Sequence, residues 1–96
     1  MEKQEMLTPI AIGSIVCENI KNLENIVGYT YPYLRNENSR EVYEAPLLVR
    51  ADDRTIDMVG IAEITIDAYS GKVLKTYTEE EIDSIVKDLF SRKADG

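Results

Sequence analysis

Apolar residues recur at helical spacing near the N-terminus of the chain. They follow Thr8 and Pro9, a hydroxyl and a proline in the order that is typical of a helix start. The apolar positions lie three and four residues apart and share one side of a helix, in the set Ile12, Ile15, Val16, Ile20 and Leu23. The pattern predicts an amphipathic helix that begins after Thr8 and packs through this stripe.

The clearest helical pattern lies near the C-terminus, in the segment TEEEIDSIVKDLF, residues 78–90. Thr78 and Glu81 have the spacing of a capping box, in which each side chain bonds the backbone N–H of the other residue. Acidic residues occupy the first turn, and Arg92 and Lys93 follow the last apolar residue, which matches the sign of the helix dipole at both ends. The apolar stripe of this helix is Ile82, Ile85, Val86, Leu89 and Phe90.

Alternation of apolar and polar residues indicates β-strands between the two helices. It occurs in four segments, residues 26–34, 41–50, 58–67 and 73–77. We predict an antiparallel sheet of about four strands in meander order, packed on one face by the N-terminal helix and the C-terminal helix. The fold class is therefore α+β, in a single domain over residues 1–96 with flexible ends at 1–7 and 93–96.

Two prolines and one run of polar residues refine the expected sheet. Pro32 and Pro46 cannot donate to a ladder, so each indicates an edge strand, a bulge or a strand end. In the third strand, inward positions are apolar and outward positions are polar, which predicts that one face of the sheet meets water. The outward set is Glu63, Thr65 and Asp67.

The segment DAYSGKVL, residues 67–74, places a carboxylate, a hydroxyl, a glycine and a lysine between two predicted strands. Asp67 can accept hydrogen bonds from N–H groups of the loop, and Gly71 suits the left-handed position of a short hairpin turn. A phosphate-binding loop would contain more glycine and lead directly into a helix, whereas a strand follows here. We interpret the segment as a bend that joins two strands.

The same region, GIAEITIDAYSGKVL, resembles the terminal hairpin of PepSY-type domains, in which alternating apolar residues precede Asp-Ala-x-x-Gly-x-Val. That pattern is met here by Ile64, Ile66, Asp67, Ala68, Gly71 and Val73. The upstream strand EVYEAPLLV and the helix before it fit the same layout. The resemblance implies a small α+β domain that binds or inhibits a peptidase and has no catalytic residues. This chain departs from the family in showing no export signal and in having a capped C-terminal helix.

The charge balance argues against binding to nucleic acid. With 18 acidic and 11 basic residues the formal charge is −7, and affinity for phosphate backbones depends on clustered Lys and Arg. The apolar run at residues 7–17 is far shorter than the ~20 residues that span a bilayer. Its leader, MEKQEM, carries two glutamates where a signal peptide needs positive charge. We therefore expect a cytoplasmic protein that binds neither membrane nor nucleic acid.

Candidate catalytic and metal-binding residues are scarce. The chain has no histidine, and its single cysteine, Cys17, is expected to be a packed or half-buried thiol. Asp52, Asp53 and Asp57 lack the alternate spacing and the closing glutamate of a calcium loop, and they are interpreted as turn and strand-end charges. A cleft of several hundred cubic ångströms is not expected in a domain of this size. The sequence predicts no catalytic residue, no metal and no cofactor.

Two sets of residues are candidates for a contact surface. Tyrosines alternate along the first predicted strand, with one more on its neighbour, and are predicted to share a face: Tyr29, Tyr31, Tyr33 and Tyr43. They form either an aromatic recognition surface or a layer of rings that covers the sheet beneath a helix. The last helix supplies an acidic patch at Glu79, Glu80 and Asp83.

These features favour a small non-catalytic module that binds or regulates another protein, an inhibitor included. The expected partner is a protein with a basic surface. The alternative is an acidic inhibitor that mimics nucleic acid and blocks a basic-grooved protein. A small enzyme that uses carboxylates is the third class. A homodimer through an exposed edge strand is compatible with all three.

Overall fold

The computed structural model describes residues 5–51 and 53–95, with the side chains of these residues up to 91. The predictions on Asp52, on the side chains of Arg92 and Lys93, and on the extreme ends lie outside this part.

The α+β prediction is confirmed, with six strands in place of about four. Several predicted strands are divided or shortened, while both predicted helices are present. The elements in chain order are α1 (Pro9–Ile20), β1 (Ile26–Tyr29), β2 (Tyr33–Glu37), β3 (Arg40–Ala51), β4 (Arg54–Asp57), β5 (Glu63–Asp67), β6 (Val73–Lys75) and α2 (Glu79–Asp95).

The long strand β3 is the centre of the antiparallel sheet. On one side it pairs with β1 and β2, which follow each other along the same edge. On its other side it pairs with β4 and β5, and β6 then pairs with β5. The strands on the two sides of β3 follow the meander-like order that the alternating segments predict.

A bulge at residues 30–32 divides the first predicted strand into β1 and β2. Tyr29 lies opposite Leu47 and Tyr33 lies opposite Glu44, so the edge chain has one residue more than β3 over this stretch. The backbone N–H of Thr30 donates to the carbonyl of Pro46 at 2.8 Å. Because a proline has no N–H to return a second bond, the ladder is interrupted at this point. Pro46 therefore lies within the central strand and faces the bulge.

The third predicted strand begins five residues too early. Residues 58–62 form a turn in which the N–H groups of Ile61 and Ala62 both donate to the carbonyl of Met58 at 2.8 Å. Met58 itself is buried in the core, and Gly60 adopts a φ of +74°, which a glycine tolerates best. A buried apolar residue at the start of this turn produces the alternation that resembles a strand.

The connection between β2 and β3 is a two-residue turn, whereas the predicted strands end at residue 34 and resume at residue 41. Asn38 and Ser39 both have positive φ, of 52° and 65°, between the paired residues Glu37 and Arg40. Two left-handed residues in succession are characteristic of a type I′ turn, whose twist matches that of the flanking strands. Asn-Ser is a weaker signal for this turn than Asn-Gly, so the sequence does not indicate clearly where β2 ends.

Both helices pack on the same face of the sheet and close a single hydrophobic core. The predicted caps are confirmed. The N–H of Ala11 donates to Thr8 Oγ1 at 3.2 Å, and Thr78 and Glu81 exchange two bonds of 2.9 and 3.1 Å. The fully buried core includes Ile12, Val16, Leu47, Met58, Ile64, Ile66 and Ile82.

The residues before α1 are attached to the sheet. The N–H of Leu7 donates to the carbonyl of Ala68 at 2.8 Å, and the Leu7 carbonyl accepts the hydroxyl of Tyr43 at 3.2 Å. These two hydrogen bonds attach the backbone of Leu7 to the sheet.

Candidate binding site

The face of the sheet opposite the helices is polar but largely buried, which corrects the prediction of a solvated face. Its central residues are only 2–8% exposed: Glu44, Glu63, Thr65 and Asp67. Buried carboxylates in this number require partners, because an isolated charge in a low-dielectric site is costly. The side chains that surround them form the candidate site.

These carboxylates lie in and beside a groove of about 560 Å³, called here the outer-face groove. Strand β2 forms one wall, the turn at residues 58–62 closes one end, and β6 with the residues after it forms the other wall. A cavity of this size is not expected for so short a chain, and that expectation is corrected. The lining residues are Tyr33, Arg35, Glu37, Glu44, Gly60, Ile61, Glu63, Thr65, Leu74, Lys75 and Tyr77.

Glu63 accepts a hydrogen bond at each carboxylate oxygen. The Tyr33 hydroxyl donates to Oε1 at 2.5 Å, and the N–H of Gly60 donates to Oε2 at 2.7 Å. Burial alone would raise the pKa of Glu63, but these donors outweigh it and lower the pKa below its ordinary value. The same bond raises the pKa of Tyr33 to about 12. Glu63 is the ionised member of the site.

Glu44 has the opposite character. Burial raises the pKa of its carboxyl group, a hydrogen bond with Glu63 raises it further, and Thr65 and Arg35 oppose the change. Arg35 Nη2 lies 3.3 Å from Glu44 Oε1 and 3.1 Å from Glu37 Oε2. Glu44 therefore holds its proton to a higher pH than an exposed glutamate does. We call Glu44 and Glu63 the carboxylate pair.

The carboxylate pair has the split proton affinities that acid–base catalysis uses. However, both oxygens of Glu63 accept bonds from the protein itself, through Tyr33 on β2 and Gly60 in the turn. The pair thus connects the edge strand, the central strand, β5 and the turn at residues 58–62. These contacts hold the four elements in the arrangement that forms the groove.

The rim of the groove is aromatic and apolar. Tyr33, Ile61 and Leu74 are each 41–45% exposed. Lys75 Nζ lies 5.4 Å from the centre of the Tyr77 ring, a distance at which a cation and an aromatic face attract each other. The groove therefore offers accessible apolar area around a fixed polar floor.

Asp67 shows a similar arrangement at the far end of the same face. The N–H groups of Tyr69 and Ser70 donate to its Oδ1, both at 2.9 Å, and Gly71 has a φ of +77°. The interpretation of this segment as a bend is confirmed. Arg40 Nε lies 2.6 Å from Oδ2 as an ion pair, without the alignment of a hydrogen bond. Hydrogen bonds from Ser70 and Tyr69 lower the pKa of Asp67, against the effect of burial, and Arg40 adds to the lowering.

The four predicted tyrosines do not share a face. Tyr43 and Tyr29 are on the helix side, where Tyr43 is buried in the core and Tyr29 is partly buried against α1. Tyr33 is on the outer face in the groove, and Tyr31 is 76% exposed at the bulge. The one extra residue of the bulge reverses the faces of the chain that follows it. Of these four tyrosines, only Tyr33 lines the groove.

The acidic patch of α2 is separate from the groove. The Asp83 carboxylate accepts a hydrogen bond from Asn25 Nδ2, which attaches the start of α2 to the segment before β1. Glu79 is half-buried and Glu80 is exposed. None of the three lines the groove, so the structure does not bring the two predicted sets together.

Cys17 is exposed on α1, which corrects the prediction of a packed or half-buried thiol. It lies beside Tyr29, whose pKa is raised by burial and by interaction with this thiol. Asp57 has a turn role, because it accepts the N–H of Val59 at 3.0 Å. In the described residues, no cluster of three or more histidine, cysteine, aspartate or glutamate side chains is placed to hold a metal ion.

Most groove residues have no local signature in the sequence. Arg35, Glu44, Lys75 and Tyr77 each occupy unremarkable positions in alternating or polar segments. The available signal is the run of outward-facing polar residues on β5, which indicates a polar face but not its burial. Only the pairing of β3 with β2 and β5 brings Glu44 beside Glu63.

No protein-family model, no curated protein and no solved structure matches the chain. No helix in the part of the chain that the structure describes is both long and apolar enough to cross a membrane.

Proposed function

We propose that the chain is a small non-catalytic protein-binding module and that the outer-face groove is its contact surface. The observation that carries this proposal is the combination of an exposed aromatic and apolar rim with a fixed floor of hydrogen-bonded carboxylates. Protein interfaces are enriched in tyrosine and arginine, and they gain most from anchors that enter preformed pockets.

A partner with a basic surface fits the charge of the whole chain. In the groove itself, with the proton on Glu44, the carboxylates of Glu37 and Glu63 balance the cations Arg35 and Lys75. Both cations already have neighbours, since Arg35 contacts two carboxylates and Lys75 lies over Tyr77. The net charge of −7 adds a long-range attraction that raises the rate of encounter with a basic protein.

The resemblance of the β5–β6 hairpin to PepSY-type domains supports the same class of function, because it implies binding or inhibition of a peptidase. The use of both Glu63 oxygens by Tyr33 and Gly60 supports a non-catalytic role. A general base needs an oxygen free to take a proton from its substrate.

The proposal can be tested with a photoreactive amino acid at Leu74, on the groove rim, in extracts of the cells that make the protein. The matched control places the same group at Ile10, which is 85% exposed on α1. We expect a cross-linked product of defined mass from position 74 that is absent from position 10. Equal products from both positions, or none from position 74, would contradict the proposal.

Two further variants separate the proposal from the acidic-mimic alternative. Binding through the rim should be lost in Leu74→Ser and should persist in about 1 M salt, where the screening length is about 3 Å. Binding by mimicry of nucleic acid should disappear in that salt and require Glu79 and Glu80. Loss with salt and with the Glu79→Gln, Glu80→Gln double variant, but not with Leu74→Ser, would favour the alternative.

A further inference from the structure

The edge strand β2 has one free side. It pairs with β3 along one edge, and no strand in the described part of the chain pairs with the other. Four of its five residues are exposed. Unpaired backbone groups on an exposed edge are a ready site for the addition of another strand.

The backbone groups that point outward can be identified from the turn. Glu37 and Arg40 flank a two-residue hairpin turn, so their N–H and C=O groups face each other. The backbone N–H and C=O groups of successive residues point to opposite edges of a strand. Those of Tyr33 and Arg35 therefore also point toward β3, and those of Leu34 and Asn36 point away from it. The free edge thus offers the N–H and C=O groups of these last two residues.

Neither helix covers this edge. Leu34 lies opposite Tyr43 and therefore on the helix side of the sheet, yet it is 47% exposed. Tyr33, on the other side, is 41% exposed. An added strand would find apolar surface on both faces of β2.

We propose that two copies of this chain pair antiparallel through β2, about a two-fold axis at Leu34. Leu34 then faces Leu34 of the second copy, with a reciprocal pair of backbone hydrogen bonds. Tyr33 faces Arg35 of the second copy, where a guanidinium can lie over the aromatic ring. Asn36 lies opposite Pro32 of the second copy, which has no N–H to donate to the Asn36 carbonyl and is buried in the bulge, so the new ladder centres on the Leu34 pair.

An axis at Arg35 is excluded by charge, and an axis at Asn36 is excluded by backbone shape. An axis at Arg35 would place two guanidinium groups directly opposite each other, and like charges in that position are destabilising. An axis at Asn36 would pair Leu34 with Asn38, whose φ of 52° is not that of a strand. Registers offset by one residue would oppose outward groups with inward ones.

The pairing extends the two sheets into one and leaves both outer faces on the same side. Two outer-face grooves then lie side by side, which would raise the affinity for a partner with two matching segments. This consequence depends on the proposed function, whereas the pairing depends on the β2 edge alone. A segment of about five residues buries little area, so we expect a weak, reversible dimer.

Sedimentation equilibrium of the purified full chain, from about 10 µM to about 1 mM, measures the pairing directly. Leu34→Lys places like charges on the axis and should weaken association by about tenfold or more. Val59→Lys makes the same charge change at a residue that is 57% exposed in the turn at residues 58–62, and it should have no effect. An equimolar mixture of Leu34→Lys with Leu34→Glu should associate more tightly than either variant alone.

The register has its own measurement. In a mixture of ¹³C-labelled and unlabelled chains, the proposed register brings the Hα of Tyr33 close to the Hα of Arg35 of the second copy, which should give an intermolecular nuclear Overhauser effect. A chain that stays monomeric to about 1 mM would overturn the proposal. A dimer that is insensitive to Leu34→Lys, or that lacks recovery in the mixed sample, would overturn it equally. None of these results depends on whether the groove binds a partner.

Discussion

Single residues on the outer face show how burial and hydrogen bonding assign different roles to similar groups. Glu44 and Glu63 lie on adjacent strands of the same sheet, and both are nearly inaccessible to water. Glu63 receives two strong donors and stays ionised, while Glu44 has an exposed arginine at 3.3 Å and retains its proton more readily. The difference lies in the donors supplied by residues distant in sequence.

The carboxylate pair predicts opposite pH effects on stability. The raised pKa of Glu44 adds stability below its unfolded-state pKa of about 4.3, and this stability is lost as pH rises through the folded value. The lowered pKa of Glu63 adds stability above about 4.3 that is lost as pH falls through the folded value. In urea unfolding at several pH values, the free energy of unfolding of Glu44→Gln should increase relative to that of the wild type as pH rises.

Glu63→Gln is the matched variant for this experiment. At neutral pH it should lower the free energy of unfolding by about 1–3 kcal/mol, because an amide cannot accept from both Tyr33 and Gly60. That loss should shrink in acid. If both variants shift stability equally at every pH, the assignment of the proton to Glu44 is wrong.

A second residue-scale prediction concerns Gly13 in α1. A β-carbon there would overlap the hydroxyl oxygen of Tyr29. Gly13→Ala should therefore lower the free energy of unfolding by about 1 kcal/mol or more, although alanine favours a helix by about the same amount. In a Tyr29→Phe background the cost should fall, because the next ring atom lies 3.4 Å away.

Ser14→Ala, at the exposed neighbouring position, is the control for helix propensity in this experiment. Denaturant unfolding of the four-member cycle measures the coupling between positions 13 and 29. Zero coupling would show that the hydroxyl is not the cause.

At the scale of elements, the helices form from local signals and the sheet is arranged by contacts that the signals do not specify. Both helix starts have the capping side chains that their sequences predict. The strands, in contrast, are divided by a bulge at residues 30–32 and a turn at residues 58–62. Each break removes backbone hydrogen bonds from the sheet. The bulge lies opposite Pro46, and the turn begins at the buried Met58.

The capping box predicts the stability of α2. Thr78→Ala should lower the free energy of unfolding by about 1 kcal/mol, because the N–H of Glu81 loses its acceptor. Thr76→Ala, at an exposed position before the helix, should have little effect. Chemical unfolding followed by far-UV circular dichroism measures both, and equal losses would mean that the cap adds nothing.

For the whole molecule, the net charge of −7 has two opposite effects. Self-repulsion among carboxylates destabilises the compact state, while the charge attracts basic partners. Raising the salt concentration from about 20 mM to about 200 mM should therefore raise the melting temperature by a few degrees.

Sodium chloride and choline chloride should produce the same rise if screening is the cause. A rise with one salt alone would indicate binding of a specific ion. A fall with both would mean that ion pairs such as Arg40 with Asp67 outweigh the repulsion.

The sequence by itself determined the parts of this protein that depend on neighbours within a few residues. These are the start of α1 at Thr8, the capping box of α2, the bend after Asp67 and the α+β class. Each follows from local hydrogen bonds or from the period of the apolar positions, and both are properties of a short segment.

The tertiary structure decided which side chains meet. One extra residue at the bulge sends Tyr33 to the face opposite Tyr29, and the register of β3 with β5 places Glu44 beside Glu63. Strand register is set between segments far apart in the chain, and a shift of one residue reverses every side chain. The groove and the free edge of β2 exist only once those strands have paired.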